Sequence, residues 1–284
     1  MSHYIELIKP KVVLLLVFTA VVGMFLASPN APDYFKILIS SIGIGLMASA
    51  GAVINHIYDK ETDSKMSRTE NRPVATGSID EKNAITFAIG LGMIGVITLI
   101  VFVNTLTALL TFLSLIGYAF VYTVLLKYST PQNIVIGGAS GATPPLLGWV
   151  AISNEITVNA VCLFLIIFTW TPPHFWALAL AKKDEYQKAK VPMLPITHGI
   201  KYTKISMGFY LVILWFVSLL PTLTGLSGSL YFWGANVLML GFILLFINSI
   251  RASDKNNYML VFAYSITYLA ALFIIMVLDQ ILIA

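Results

Sequence analysis

Residues 83–126 of this chain read NAITFAIGLGMIGVITLIVFVNTLTALLTFLSLIGYAFVYTVLL. The stretch spans 44 residues and contains no Asp, Glu, Lys or Arg. A helix needs about 20 mostly apolar residues to cross the hydrocarbon core of a bilayer. The stretch therefore predicts two transmembrane helices joined by a tight turn near Asn104. Residues 205–250 form a second uncharged stretch and predict another such pair.

The whole chain has the composition of a protein embedded in a bilayer. Of its 284 residues, 58% are hydrophobic and 11% are charged, and the mean hydropathy is +0.87. A soluble domain carries about 25% charged residues, so this chain lacks the polar surface that such a domain needs. The alternating pattern of barrel strands is absent from the sequence. We predict an all-α, polytopic membrane protein with nine transmembrane helices, at about 12–28, 36–54, 84–103, 106–126, 133–152, 157–181, 204–224, 229–250 and 258–278.

Lysine and arginine residues set the expected orientation, because they concentrate in cytoplasmic loops. With the N-terminus in the cytoplasm, 16 of the 17 Lys and Arg residues fall on the cytoplasmic side, and only Lys36 falls on the other. The two long loops, at about 55–83 and 182–204, are then both cytoplasmic. We expect one domain over residues 1–284 in a bacterial inner membrane, with its chemistry carried by these two loops.

The sequence argues against several other kinds of site. Cys162 is the single cysteine and lies in an apolar segment, so the chain forms no internal disulfide and no thiolate metal cluster. The net charge of +4 comes from residues in the loops between apolar segments, where it marks membrane orientation. This distribution argues against nucleic acid as a partner.

Three polar side chains follow the second predicted span at helical spacing. Asn55, Asp59 and Asp63 are four residues apart, so on a helix they lie along one face with Cβ atoms about 6 Å apart. Two carboxylates this close repel each other unless a cation lies between them. Mg²⁺ takes hard oxygen ligands from the protein and completes its shell with water and substrate phosphates. We predict that these residues bind Mg²⁺, and a solvated loop with ordinary surface ion pairs is the alternative.

Two arginines, Arg68 and Arg72, come shortly after this acidic group. A planar guanidinium binds phosphate through two parallel hydrogen bonds. Carboxylates for Mg²⁺ beside arginines for phosphate are the arrangement that a diphosphate requires. We therefore predict a diphosphate site after the second span.

The fourth predicted span ends with Tyr118, Tyr122 and Lys127. Lys127 could bind a phosphate, or it could extend its ammonium group to the lipid headgroups. The two tyrosines share one helix face, where they could stabilise a cation through their π faces or form part of an interfacial aromatic belt. Spacing alone leaves both alternatives open.

The sixth predicted span contains His174 in a Thr-Pro-Pro-His segment, about two turns before its cytoplasmic end. Ionisable residues inside a span are costly and usually functional, although a lone histidine is often satisfied by a neighbour. Asp184 and Glu185 follow this span. They could bind a second Mg²⁺ or stabilise a carbocation, or they could belong to a solvated loop.

Together these clusters resemble the UbiA-type intramembrane prenyltransferases. The pattern N-x-x-x-D-x-x-x-D at 55–63 is similar to the first motif of that superfamily, as are Tyr122, Lys127, Thr130 and Asn133. Within that superfamily the chain more closely resembles a heme-farnesylating branch. The segments that carry this resemblance are DSKMSRTENRP (63–73), GGASGATPPLLGW (137–149), TWTPPHFWA (169–177) and KDEYQKAKVPMLP (183–195). The resemblance covers nearly the whole chain.

This sequence departs from many superfamily members after the sixth span. They have a second aspartate-rich motif there, whereas this chain offers His174, Asp184 and Glu185. The departure agrees with the heme branch, and it puts a second Mg²⁺ in doubt.

The resemblance implies transfer of farnesyl from farnesyl diphosphate to a vinyl group of heme b, giving heme O and diphosphate with Mg²⁺ as cofactor. A heme A synthase or terminal oxidase is implied as a protein partner, beside membrane lipid. The implied roles are catalytic for Asp59, Asp63, Lys127, His174 and Asp184; substrate-binding for Asn55, Arg68, Arg72, Tyr118, Tyr122, Thr130, Asn133 and Glu185; and metal-binding for Asn55, Asp59 and Asp63. A prenyltransferase of an aromatic or quinone precursor and a secondary transporter are the alternatives.

Overall fold

The computed structural model describes residues 2–28, 32–67, 69–252 and 254–283, with the backbone alone at residue 283. All regular structure in these ranges is helical. The helices are α1 (Ser2–Leu7), α2 (Pro10–Leu26), α3 (Tyr34–Tyr58), α4 (Lys60–Asp63), α5 (Glu81–Phe102), α6 (Thr105–Ile116) with a π-helix (Gly117–Leu126), α7 (Asn133–Ala142), α8 (Pro144–Ser153), α9 (Val158–Ala181), α10 (Lys183–Lys188), α11 (Leu194–Thr197), α12 (Gly199–Leu223), α13 (Ser229–Arg251) and α14 (Lys255–Ile283).

The nine predicted spans match helical segments of the structure. Among the described residues, eight segments are long and apolar enough to cross a membrane, and α2 is a shorter ninth. This confirms the prediction of an all-α integral membrane protein. Local sequence sets the helix starts: Pro10 lies in the first turn of α2, where its missing N–H costs nothing. Asn104 makes the predicted turn, because its side chain accepts a hydrogen bond from Thr107 N–H at 2.7 Å and caps α6.

Helix α9 lies at the centre of the bundle, and α5 lies at its edge. Of the most apolar stretch of each helix, 67% is buried in α9 and 17% in α5. Side chains such as Ile89, Phe209 and Trp233 are more than 60% exposed. A bilayer accommodates this apolar surface, which water would not.

Helices α2 and α8 approach each other backbone to backbone. A Cβ atom at Gly148 would lie 1.9 Å from the Ala20 carbonyl oxygen, and one at Gly23 would lie 2.1 Å from that of Pro145. Small residues allow such close packing between membrane helices, where dispersion contacts replace the hydrophobic effect as the main attraction. The contact joins the first span to the fifth.

The two long loops pack against each other at one end of the bundle, which we call the loop side. Met66 of the first loop shares a buried apolar cluster with Val191 and Met193 of the second, and Phe175 of α9 packs against it. The Ser67 hydroxyl also donates to Glu185 at 3.4 Å. The loops therefore form a joint cover over the ends of α3 and α9.

Candidate active site

The three residues of the N-x-x-x-D-x-x-x-D pattern remain on one side of an almost continuous helix. Helix α3 ends at Tyr58 and α4 begins at Lys60, but Asp63 N–H bonds to the Asp59 carbonyl at 2.7 Å and continues the helical path. Asn55, Asp59 and Asp63 are each no more than 4% exposed. The predicted shared face is therefore present, and it points into the protein.

Each of these three side chains contacts one cation, and each cation comes from a different segment. The Lys9 ammonium contacts the Asn55 amide oxygen, the Lys127 ammonium contacts the Asp59 carboxylate, and the Arg72 guanidinium contacts both oxygens of Asp63, at 2.7 and 2.9 Å. We call these six residues the acidic cluster and its cations. Buried carboxylates require such partners, because an unpaired buried charge is strongly unfavourable.

The π-helix positions two of the side chains around Asn55 and Asp59. Its wider turn shows in the Lys127 N–H bond to the Tyr122 carbonyl, five residues back, at 2.9 Å. The Thr123 hydroxyl donates to the Tyr118 carbonyl and accepts from Asn55 Nδ2 at 3.2 Å. π-Helical turns are rare and often mark functional sites. Here the turn brings Lys127 onto the carboxylate of the second span.

Tyr128 belongs to the site although the sequence analysis did not select it. Its hydroxyl donates to the second oxygen of Asp59 at 2.7 Å and lies 2.9 Å from the Thr62 hydroxyl. Burial, together with the charge of Asp59, raises the pKa of Tyr128. The phenol therefore stays protonated at neutral pH and remains a hydrogen-bond donor to Asp59.

Lys9 is the second residue that the sequence analysis did not assign to the site. It immediately precedes α2 with a left-handed backbone (φ 50°). Burial and the nearby charge of Arg72 lower the pKa of Lys9 to about 7. A lysine just before the proline that starts the first span was the available signal. Burial also raises the pKa of Asp63, against the opposing effect of Arg72.

The other predicted residues lie in the fourth span and in the turn that leads to α7. Tyr118 and Tyr122 stack with ring centroids 5.8 Å apart. Asn133 is buried and donates from Nδ2 to the Lys127 carbonyl at 3.1 Å, so it fixes the backbone of that lysine. The Thr130 hydroxyl accepts from a backbone N–H two residues on. Asn133 therefore supports the site, and Thr130 shapes the adjoining turn.

The predicted acidic residues after α9 lie outside the buried set. Asp184 is 70% exposed on its side chain and forms an ion pair with Lys255 at 3.2 Å. Glu185 contacts Lys182 at 2.8 Å and also the Ser67 hydroxyl, which belongs to the first loop. Glu185 thus links the two loops, whereas Asp184 lies on the protein surface. Arg68, the other predicted phosphate ligand, lies outside the described residues.

His174 lies between α9 and α14, where two aromatic rings cover its faces. Its centroid is 4.2 Å from that of Trp170 and 4.5 Å from that of Phe262. Nδ1 lies 2.6 Å from the Ser265 hydroxyl, which donates its single proton to the Phe262 carbonyl at 2.6 Å. The proton between Nδ1 and Ser265 must then come from the imidazole. In the neutral ring this leaves Nε2 unprotonated, with a lone pair.

The oxygens of the acidic cluster fit a hard divalent cation. They comprise two carboxylates and one amide, all buried and all facing positive charge. Within the described ranges, no three His, Cys, Asp or Glu residues gather into a metal site. A metal held here would take its other ligands from water or a bound phosphate, as Mg²⁺ commonly does.

Sequence comparison gives strong matches along the whole chain. A model of the UbiA prenyltransferase family matches residues 16–277. The chain is 50% identical over 277 residues to a protein of Marinobacter nauticus named protoheme IX farnesyltransferase, covering 98% of this chain and 92% of that protein. It is 52% identical over 277 residues to a protein of the same name from Saccharophagus degradans, covering 98% and 91%.

Solved structures share the fold at low sequence identity. A digeranylgeranylglyceryl phosphate synthase superposes with a TM-score of 0.83 at 21% identity, covering 99% of this chain and 98% of that one. A UbiA homologue from Archaeoglobus fulgidus, bound to GPP and Mg²⁺, superposes with a TM-score of 0.67 at 17% identity, covering 96% and 99%.

Proposed function

This chain belongs to the UbiA prenyltransferase family, and from that membership we propose that it transfers the farnesyl group of farnesyl diphosphate to a vinyl group of protoheme IX. The products are heme O and diphosphate. The observation that carries the proposal is the identity of about half the residues, over 98% of the chain, to proteins named protoheme IX farnesyltransferase. The acidic cluster and its cations provide matching chemistry for a diphosphate donor.

Lys127 and Arg72 are the described residues best placed to bind the diphosphate, and Arg68 is the third candidate. Both described side chains are partly buried, and each forms an ion pair with one carboxylate of the acidic cluster. Arg72 contacts Asp63 through one terminal nitrogen, so the rest of its guanidinium remains able to bind phosphate. Oriented positive groups stabilise the charge that builds on a departing diphosphate.

Mg²⁺ would be held by Asn55, Asp59 and Asp63, and when bound it would neutralise the diphosphate and favour its departure. The same carboxylates contact Lys127 and Arg72 in this structure. We infer that the two cations leave the carboxylates and turn to the phosphate oxygens when donor and metal bind.

The reaction balances as an ionisation followed by carbon–carbon bond formation. The bond between C1 of farnesyl and oxygen breaks, and its electron pair leaves with the diphosphate. The vinyl group attacks the resulting allylic cation, and water adds to the new porphyrin-side cation with loss of a proton. The stacked rings of Tyr118 and Tyr122, next to the acidic cluster, are suited to stabilise the allylic cation.

The cover formed by the two loops would keep bulk water from the allylic cation. Met66, Val191 and Met193 are at most 4% exposed and pack with Tyr128, whose hydroxyl contacts Asp59. Excluding water prevents hydrolysis of a reactive intermediate and strengthens electrostatic contacts inside the site. We therefore assign residues 1–284 to a single catalytic domain in which the loops complete the site.

His174 is the proposed contact to the heme. Its Nδ1–H is held by Ser265, which leaves Nε2 of the neutral ring with a lone pair. A metal-binding histidine usually has this arrangement, with the second ring nitrogen donating to an oxygen. An iron porphyrin offers both a metal for Nε2 and an apolar face for the rings of Trp170 and Phe262.

The orientation proposed for the membrane places the loop side in the cytoplasm of a bacterial cell. The placement of Lys and Arg supports it, because these residues concentrate on the loop side. Farnesyl diphosphate would then enter with its charged head at the cytoplasmic face and its tail among the apolar helices. Reaction of impermeant labels with single cysteines on each side, in sealed vesicles, tests this orientation.

The test of function is conversion of heme b by the purified protein in liposomes, with farnesyl diphosphate and with or without Mg²⁺. We expect a farnesylated heme that forms only with Mg²⁺. Conversion of 4-hydroxybenzoate in place of heme would assign the chain to an aromatic acceptor. Substrate flux into vesicles without any product would support the transporter alternative. Loss of heme product in a protein that still melts cooperatively would refute the proposed acceptor.

A further inference from the structure

A cavity of about 440 Å³ opens beside the acidic cluster, between α1, the start of α2 and the end of α3. Ligand-binding pockets typically measure about 300–1,000 Å³. The charged and titratable side chains that line it are Glu6, Lys9, Lys11, His56 and Arg72. Lys11 and Arg72 outnumber the single carboxylate of Glu6, so the formal charge of the lining is positive even with Lys9 and His56 neutral.

His56 is the least explained side chain of this cavity. It is 2% exposed, and neither of its ring nitrogens has a hydrogen-bond partner among the described residues. Leaving two buried polar atoms unpaired is unfavourable, and native structures contain few such groups. The imidazole therefore has two unused hydrogen-bonding positions at the wall of a positively charged cavity.

Lys9 and Arg72 also have hydrogen-bond donors that their present contacts do not use. The Lys9 ammonium contacts a neutral amide oxygen, and within the described ranges it has no carboxylate within 4 Å. Arg72 contacts Asp63 with only one of its nitrogens. Both side chains therefore retain hydrogen-bond donors for an additional anion.

The cavity lies beside the helix face that carries Asn55, Asp59 and Asp63, and His56 does not belong to that face. Successive residues of a helix point about 100° apart, because the helix has 3.6 residues per turn. His56 follows Asn55 directly, so its side chain leaves α3 on a different side from the Asn55, Asp59 and Asp63 face. A molecule bound at His56 would reach Lys9 and Arg72, which line the same cavity.

We propose that Lys9, His56 and Arg72 form an oxyanion subsite beside the metal site. The inference rests on the proposed function, because both available oxyanions come from that reaction. One is the diphosphate of the donor, and the other is a propionate carboxylate of the heme acceptor. Both offer two or more oxygens to the ammonium, the guanidinium and one N–H of the imidazole.

The experiment compares the full-length protein with His56→Leu in nanodiscs. The probes are inorganic diphosphate, iron protoporphyrin IX, and the dimethyl ester of that porphyrin, which lacks the carboxylate charges. His198→Leu is the matched control, because His198 is also on the loop side and, among the residues that the structure describes, contacts its neighbour Thr197 and the Tyr202 ring. Loss of one hydrogen bond to a charged group predicts about a tenfold or greater loss of affinity.

The source of the oxyanion follows from which probe responds. A tenfold weaker diphosphate affinity in His56→Leu assigns the subsite to the donor. A loss of the preference for free porphyrin over its ester assigns it to the acceptor. Unchanged affinities for all three probes, in a variant that melts like the wild type, would overturn the proposal. His56→Gln, which keeps an amide donor, is used where the leucine variant does not fold.

Failure of this proposal is separable from failure of the proposed function. Absence of heme turnover, with His56-dependent diphosphate binding, would retain the subsite and reject the acceptor. If heme is converted but the affinities for diphosphate and porphyrin are unchanged in His56→Leu and in Lys9→Met, the subsite is rejected and the proposed reaction is retained.

Discussion

Replacement of Lys127 by methionine should change metal binding and turnover in opposite directions. The Lys127 ammonium contacts the Asp59 carboxylate, and their side chains are 16% and 1% exposed. Methionine keeps most of the volume of the side chain and removes its charge. If Mg²⁺ binds Asp59, it must compete with this ammonium in the wild-type protein and has no such competitor in Lys127→Met.

The size of the effect follows from the burial of the pair. Removing one partner of a buried ion pair costs about 3–5 kcal/mol. Tyr128 still donates to Asp59 at 2.7 Å, and a hydrogen bond to a charged group contributes about 1.5–3 kcal/mol. We therefore expect the metal-free variant to lose about 2 kcal/mol of stability, which Mg²⁺ restores. This energy corresponds to Mg²⁺ binding that is at most about thirtyfold tighter.

The assay is calorimetric titration of Mg²⁺ into the metal-free protein, together with thermal melts and heme turnover. Turnover should fall although Mg²⁺ binds more tightly, because the diphosphate loses one of its cations. Lys60→Met is the control, since the Lys60–Glu81 pair has exposures of 46% and 53%; exposed pairs contribute about 0–1 kcal/mol. Unchanged Mg²⁺ affinity in Lys127→Met would refute competition at Asp59, and unchanged turnover would remove Lys127 from diphosphate binding.

Three further variants test the metal ligands, the packing and the N-terminal lysine. Asp63→Asn keeps the shape of the side chain but removes a metal-binding charge, so turnover should fall about a hundredfold or more; the variant should also melt at a lower temperature, because Arg72 loses its buried carboxylate partner, and near-normal turnover would exclude Asp63 from the site. Gly148→Ala should prevent folding, because its Cβ would lie 1.9 Å from the Ala20 carbonyl oxygen, whereas Gly141→Ala meets no atom within 4 Å and should melt like the wild type. Because the pKa of Lys9 is lowered from 10.5 to about 7, the folded protein releases a proton that the unfolded chain retains. Stability measured by thermal melting should therefore rise between about pH 7 and 10.5, and Lys9→Met should lack this rise.

The spans could be predicted from the sequence because the bilayer imposes a simple requirement on it. Each crossing helix needs an apolar run, and residues 83–126 and 205–250 supply four of them without a single charge. The three-residue acidic face was equally predictable, since helical spacing depends only on positions four apart. The residue spacing within one helical segment is therefore enough to predict which side chains share a face.

The partners of that face could not be predicted in the same way. Lys9 is 46 positions from Asn55, and Lys127 is 68 positions from Asp59, so the pairings depend on how helices pack. The π-helix could not be predicted either, because one extra residue in a helical turn does not change the apolar character of the segment. The surroundings of Asp184 could not be predicted either: packing leaves it exposed beside Lys255, and its role stays a prediction.

The pairing of cations with the acidic cluster has a consequence for the order in which donor and metal bind. Buried carboxylates and buried ammonium groups are each unfavourable alone, so the substrate-free site requires both. Mg²⁺ and diphosphate carry opposite charges, as do the two sets of protein groups. When both ligands enter together, each protein charge exchanges one partner for another, and no charge is left unpaired. Entry of either ligand alone would leave the carboxylates or the cations facing like charge. Mg²⁺ and farnesyl diphosphate should therefore strengthen each other's binding by the same factor, as thermodynamic linkage requires.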